Sequence, residues 1–182
     1  MRFLANETAM LLVDVQERLF GHIEGHELIE KHLLVLLQGL QALDVAIVCN
    51  QQYTQGLGET IAPLRAILKE TMVYEKRTFS CCQNSDVMEK LQTLDVKRVI
   101  VAGVESHVCV LQSVLDLLEA GFEVMLCVDA IGSRKHKDHE IALRRMEQEG
   151  AKLCTTESVL FELLHSANHP QFKTISALVK GL

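Results

Sequence analysis

No C-x-x-C pair occurs among the six cysteines, so neither a zinc ribbon nor a thioredoxin-like redox motif has support. No G-x-G-x-x-G and no G-x-x-x-x-G-K-[ST] follows an apolar run, which argues against dinucleotides and nucleoside triphosphates as ligands. Basic charge is short: 18 Lys and Arg stand against 24 Asp and Glu, a net charge of −6, whereas a nucleic-acid binder needs a basic face. The one dense basic cluster, Arg134-Lys135-His136-Lys137, is too small for such a footprint. No apolar run approaches the length of a membrane span, and Asn6 and Glu7 interrupt the N-terminal one, so neither a membrane partner nor a secretory signal is expected. Proline is confined to Pro63 and Pro170, and no repeat, low-complexity tract or linker is visible. What remains is 182 residues with 48% hydrophobic content, which predicts one globular domain over 1–182 with a substantial core. A cytoplasmic location and reduced cysteines are expected.

Apolar runs at Ala9–Val13, Val45–Cys49, Met72–Glu75, Val99–Ala102, Val124–Val128 and Lys152–Cys154 read as strands. Helical spacing fills the intervals at 25–42, 62–69, 86–94, 108–118 and 138–149, followed by two more helices around 158–165 and 171–179. In the helix over 25–42 the apolar positions are Leu28, Leu33, Leu36, Leu37 and Leu40, and Asn50–Thr60 reads as a loop. Strands that are apolar rather than alternating, each followed by a helix, predict a parallel sheet covered on both faces. Such folds carry their working groups at the carboxyl ends of the strands. The residues there are Asp14, Asn50, Lys76, the turn from Glu105 to Cys109, and Asp129.

The stretch RVIVAGVESHVCVLQSVLDLLEAG, residues 98–121, organises the rest. Its buried-strand run ends at Gly103, and a polar link leads into a helix with Val108, Leu111, Leu115 and Leu118 on one face and Gly121 as its C′ residue. With Ser106 as N-cap, Cys109 falls at the third helical position, where the helix dipole favours thiolate over thiol. Three strand ends thus offer an acid, an amine and a thiol. Asp14 can take the proton of Cys109, and Lys76 can hold the anion. Each has a plainer reading, Asp14 as a turn cap and Lys76 as a solvated charge beside Glu75 and Arg77.

These residues resemble the isochorismatase-like cysteine hydrolases, the superfamily that includes nicotinamidases and N-carbamoylsarcosine amidohydrolase. LLVDVQE carries the first-strand aspartate at Asp14 with its usual D-x-Q partner Gln16; VYEKRTFSC carries the lysine at Lys76; AGVESHVCV carries the nucleophile at Cys109. The loop from Gln52 to Gly58 and the tail TTESVLFELL…HPQFKTISALVK are most similar to the isochorismatase domain-containing proteins, and the resemblance spans essentially the whole chain. It implies a three-layer α/β/α fold whose six parallel strands run in the order 3-2-1-4-5-6. It also implies a non-proline cis peptide at Val104–Glu105, and an oxyanion hole formed by the backbone N–H groups of Glu105 and Cys109.

One departure from that pattern matters. Nicotinamidases carry a metal-binding D-x-H after the second strand, where this chain has Asn50-Gln51-Gln52-Tyr53. No metal and no cofactor are therefore expected, and nicotinamide is a doubtful substrate. Gln16, Gln52 and Tyr53 are candidate substrate-binding residues, with an ordinary loop role as the alternative for the last two. His107 either contacts substrate or shuttles protons, or is a solvated first-turn side chain. Cys49, Cys81, Cys82, Cys127 and Cys154 read as packing residues.

The reading that results is a hydrolase of a small amide or related C–N bond working through a thioester. The alternatives are a vinyl-ether hydrolase using Asp14 as acid, and a binding or scaffold protein on the same fold. A small-molecule substrate is expected as partner. Phe172, Ile175, Leu178, Val179 and Leu182 form an apolar stripe on the last helix. Together with the habits of the superfamily, that stripe suggests a homo-oligomer with this tail at the interface.

Overall fold

The computed structural model describes residues 2–69 and 71–182. Six parallel strands, β1 (Thr8–Val13), β2 (Ala46–Gln52), β3 (Val73–Lys76), β4 (Arg98–Val104), β5 (Glu123–Gly132) and β6 (Lys152–Cys154), form a sheet in the order β3-β2-β1-β4-β5-β6. Every residue of β1 and β4 is buried, while the edge strands β3 and β6 are largely open. That gradient explains the sequence pattern: after their first residues, Thr8 and Arg98, the two central strands are apolar because helices cover both faces.

The helices are α1 (Glu17–Phe20), α2 (His26–Ala42), α3 (Thr54–Leu57), α4 (Ala62–Ile67), α5 (Ser85–Thr93), α6 (Leu111–Glu119), α7 (His136–Gln148), α8 (Thr156–Leu164) and α9 (Phe172–Val179). Ile29, Leu33, Leu36, Leu37 and Leu40 bury the inner face of α2 against β2, β5 and α8, each apolar side chain stabilising by about 1.5–3 kcal/mol. Leu28, expected on that face, is 59% exposed, because the stripe begins one residue later at Ile29. The apolar stripe of α9 packs on its own chain, with Ile175 fully buried and Phe172, Leu178 and Val179 half-buried against the core beside α2 and α8. The tail is therefore not an unpartnered stripe.

Two differences from the sequence reading bear on the site. β2 runs on to Gln52, so Asn50, Gln51 and Gln52 are strand residues held by pairing to Tyr74, Glu75 and Lys76 rather than parts of a loop. β5 runs past Asp129 to Gly132 through an irregularity in its pairing with β4. Asp129 is consequently a partly buried residue within the strand rather than its end. It accepts from the Thr156 N–H and hydroxyl and lies 3.1 Å from His32 Nδ1, which makes it an anchor for the start of α8.

Candidate active site

Asp14 leaves the end of β1 with φ of +50°, and its N–H donates to the Asn50 carbonyl across the sheet. Beside it, Gly103 of β4 adopts φ of +120°, and a Cβ there would lie 2.1 Å from the Val13 carbonyl oxygen. The two central strands can approach so closely at their carboxyl ends only because that side chain is missing.

Lys76, at the end of β3, reaches across β2 into this space. Its Nζ donates to Asp14 Oδ2 at 2.7 Å, to Gln52 Oε1 at 2.7 Å and to the Thr78 carbonyl at 3.3 Å, and both charged side chains are fully buried. Burial, the largest single influence, would lower the Lys76 ammonium, but the charge and hydrogen bond of Asp14 together with the Cys81 and Cys109 sulfurs outweigh it and hold the amine above its usual value. Burial pushes the Asp14 carboxyl up, against the opposing pull of Lys76. Its second oxygen, Oδ1, is buried without a hydrogen-bond partner among the described residues. An unpartnered carboxylate oxygen in a catalytic-looking cluster is a ready proton acceptor.

Cys109 completes the group. The segment Ser106–Val110 is a wide π-helical turn leading into α6, capped by Glu105 rather than by Ser106. Val108 and Val110 both donate to the Glu105 carbonyl, at 3.1 and 3.2 Å, and the Cys109 N–H between them does not go to that oxygen. The Cys109 thiol interacts with both Asp14 and Lys76. The expectation of a standing thiolate is reversed. Burial first, and then the Asp14 charge, push this thiol up to about 12, and Lys76 only partly offsets them. In the resting site Cys109 is a thiol.

The surroundings fix this geometry. Gln16 is fully buried and braces β2: its Nε2 donates to the carbonyls of Gln52 and Gly58, and its Oε1 accepts from the Gln52 N–H. Its amide is thus committed to backbone. Gln52 in turn fixes Lys76 and donates to the Arg77 carbonyl at 3.0 Å. Tyr53 lies at the rim, 36% exposed, with the Arg77 guanidinium stacked 3.9 Å from its ring centre, and Phe79 nearby in sequence is 54% exposed. The Val104–Glu105 peptide is cis. The Glu105 carboxylate is buried and held by the N–H and Nε of Arg134 at 2.9–3.1 Å.

His107 Nδ1 lies 2.9 Å from Ser133 Oγ, and Ser106 Oγ lies 2.9 Å from His139 Nδ1. Both contacts tie the turn to the far end of β5 and to α7, beside a cavity of about 200 Å³ lined by Glu24, Ile131, Ser133, His136 and His139. Three residues that carry this support were not singled out by sequence reasoning. They are Arg134 as an individual ligand of Glu105, Ser133, and Ser113, whose hydroxyl donates to the Cys109 carbonyl at 2.7 Å and accepts from the Cys81 N–H at 2.9 Å. A serine one helical turn after the cysteine was the only signal available for Ser113.

A parallel α/β sheet with a buried acid–amine pair and a thiol on a strand-to-helix turn defines a class of cysteine-bearing α/β folds. The chain belongs to the isochorismatase family: the Isochorismatase domain model matches residues 8–158. Isochorismatase domain-containing protein 2 of Bos taurus is 38% identical over 183 residues, covering 98% of this chain and 86% of its own. Among solved structures, the MAR1 ribonuclease of Caenorhabditis elegans superposes with a TM-score of 0.94 at 34% identity, covering 99% of this chain and 93% of that one. YcaC of Escherichia coli, described as an octameric hydrolase of unknown specificity, shares the fold at a TM-score of 0.94 and 24% identity, covering all of this chain and 90% of its own.

Proposed function

We propose that this protein is a hydrolase of a small amide or related C–N bond, with Cys109 as nucleophile, Asp14 as proton carrier and Lys76 as fixed cation. The observation that carries the reading is the buried Lys76–Asp14 pair with a free carboxylate oxygen beside an un-ionised thiol. At neutral pH a thiol near 12 is ionised in only about one molecule in 10⁵, so the nucleophile has to be made during the reaction.

Asp14 takes the thiol proton as sulfur attacks the carbonyl carbon, and Lys76 stays ionised to balance the charge. The N–H groups of Glu105 and Cys109 donate to the oxygen that becomes negative, an arrangement worth about 3–4 kcal/mol per donor. The C–N bond then breaks, with the proton passing from Asp14 to the departing amine. Water, deprotonated by Asp14, attacks the thioester, releases the acid and returns the thiol. Tyr53, half-exposed beside Arg77, is the candidate substrate contact, and Gln52 and His107 act by holding Lys76 and the nucleophile turn.

The raised carboxyl of Asp14 favours one second reading, in which it protonates a vinyl ether and Cys109 is dispensable. The name of the worm relative raises ribonuclease activity, but a net charge of −6 and a triad buried beneath the strand ends suit a small neutral substrate better than a polyanion. Ammonia release from a panel of small amides and ureides, run beside RNA cleavage, separates these. Amide turnover abolished in Cys109→Ala supports the proposal. Turnover that survives Cys109→Ala, or turnover of RNA alone, overturns it. The octamer described for YcaC supports a homo-oligomer here, and light scattering on the intact chain is expected to give a mass above 20.4 kDa.

A further inference from the structure

Away from Asp14 and Lys76, β5 and β6 place Cys127 opposite Cys154 in register, and their sulfur atoms lie 3.5 Å apart. Cys127 is fully buried in the sheet, whereas Cys154 is partly open to solvent on the edge strand. The Cys154 sulfur also lies 3.5 Å from the Leu126 carbonyl, so its thiol is held pointing at β5 rather than away from it. Of the other four cysteines, Cys109 belongs to the active-site cluster, Cys49 contacts Thr60, and Cys81 and Cys82 contact Ser113.

We propose that Cys127 and Cys154 form a redox dithiol, which a hydroperoxide converts reversibly into an intramolecular disulfide that fastens edge strand β6 to β5. The sulfurs must close from 3.5 Å to about 2.05 Å. β6 can supply that movement: it has three residues and is hydrogen-bonded on one side only. The chemistry runs through the accessible partner. The Cys154 sulfur attacks the peroxide oxygen, the S–O bond forms as the O–O bond breaks, and an alcohol or water leaves. The Cys127 sulfur then attacks the Cys154 sulfur, the S–O bond breaks, and hydroxide leaves as water with the Cys127 proton. Two thiols are oxidised, and one hydroperoxide is reduced to an alcohol and water.

The position has a consequence for the fold. Two residues beyond each cysteine, Asp129 and Thr156 make the contacts that anchor α8. The disulfide therefore adds a covalent tie where the edge strand is otherwise held by a few hydrogen bonds.

The test uses the full chain exposed to stoichiometric hydrogen peroxide, then unfolded, alkylated with N-ethylmaleimide and mapped by mass spectrometry. The expected product is a linked Cys127–Cys154 peptide about 2 Da lighter than the sum of its parts, lost again on treatment with dithiothreitol. Cys127→Ser removes the resolving thiol, and at the same peroxide dose its Cys154 is expected to accumulate sulfinic acid that dithiothreitol does not reverse. The proposal is overturned if Cys127 stays alkylatable while Cys154 over-oxidises equally in both proteins. It is equally overturned if the linkage joins separate chains.

Discussion

Asp14→Asn is expected to make Cys109 more reactive towards iodoacetamide while abolishing turnover. Two charges act on this thiol in opposite directions: Asp14 raises it and Lys76 lowers it. Replacing the carboxylate by an amide removes the repulsion and leaves Lys76, among the described residues, as the charge acting on the thiol, a change worth about 1–3 pH units for a charge within about 4–6 Å. Each unit raises the thiolate fraction about tenfold at neutral pH, but a less basic thiolate is also less nucleophilic, with a Brønsted slope of about 0.4–0.5. The net expectation is a rise of about 3- to 50-fold in the second-order alkylation rate of Cys109, with its pH profile displaced downwards from about 12. Turnover of any substrate found is expected to fall by about 10²–10⁴, since the proposed proton carrier is gone. The assay is the rate of carbamidomethylation at Cys109, followed by mass spectrometry across a pH series in both proteins. An unchanged or slower rate in Asp14→Asn refutes the reasoning, because it means that the carboxylate and the thiol do not share their charge.

Lys76→Met strands the Asp14 carboxylate in a buried site and is expected to cost about 3–5 kcal/mol at neutral pH in chemical denaturation. The sign of its pH dependence follows from the raised Asp14 carboxyl. Below the ordinary value of 3.8 that group is protonated in both folded and unfolded chains, so the penalty in the variant shrinks as pH falls towards that value and grows above it. A penalty that stays flat from acid to neutral pH counts against a buried charge as its origin. Ser113→Ala leaves the Cys81 N–H and the Cys109 carbonyl without their bridge and is expected to cost about 1–3 kcal/mol and to slow Cys109 alkylation. Normal stability and normal labelling would show that the bridge does not hold the turn. Gly103→Ala forces a Cβ to within 2.1 Å of the Val13 carbonyl, and loss of more than about 4 kcal/mol, or no soluble folded protein, is expected by circular dichroism.

The fold was legible because a parallel sheet covered on both faces writes its central strands as unbroken apolar runs, and Ala9–Val13 and Val99–Ala102 are such runs within β1 and β4, with every residue buried. The positions of Asp14, Lys76 and Cys109 followed from strand ends, since strand direction alone sets which edge they share. What the sequence could not carry was the balance of forces within that edge. A cysteine at a helix start suggests a lowered thiol, yet the same three residues produce a raised one. The Lys76 charge is spent on Asp14, and burial acts on all three groups together. Neither effect is visible in spacing.

The supporting contacts were hidden for a related reason. Arg134 meets Glu105 across 29 positions, and Ser113 meets Cys81 across 32, so no local pattern links them. Gln52 shows the limit most plainly. Whether it belongs to a loop facing substrate or to a strand holding Lys76 depends on whether β2 stops at Cys49 or runs three residues further. Pairing with β3 decides that, through the register of Gln52 opposite Lys76 itself. The Lys76 amine thus sits on the strand partner that extends β2, and the candidate site and the sheet edge are built by the same pairing.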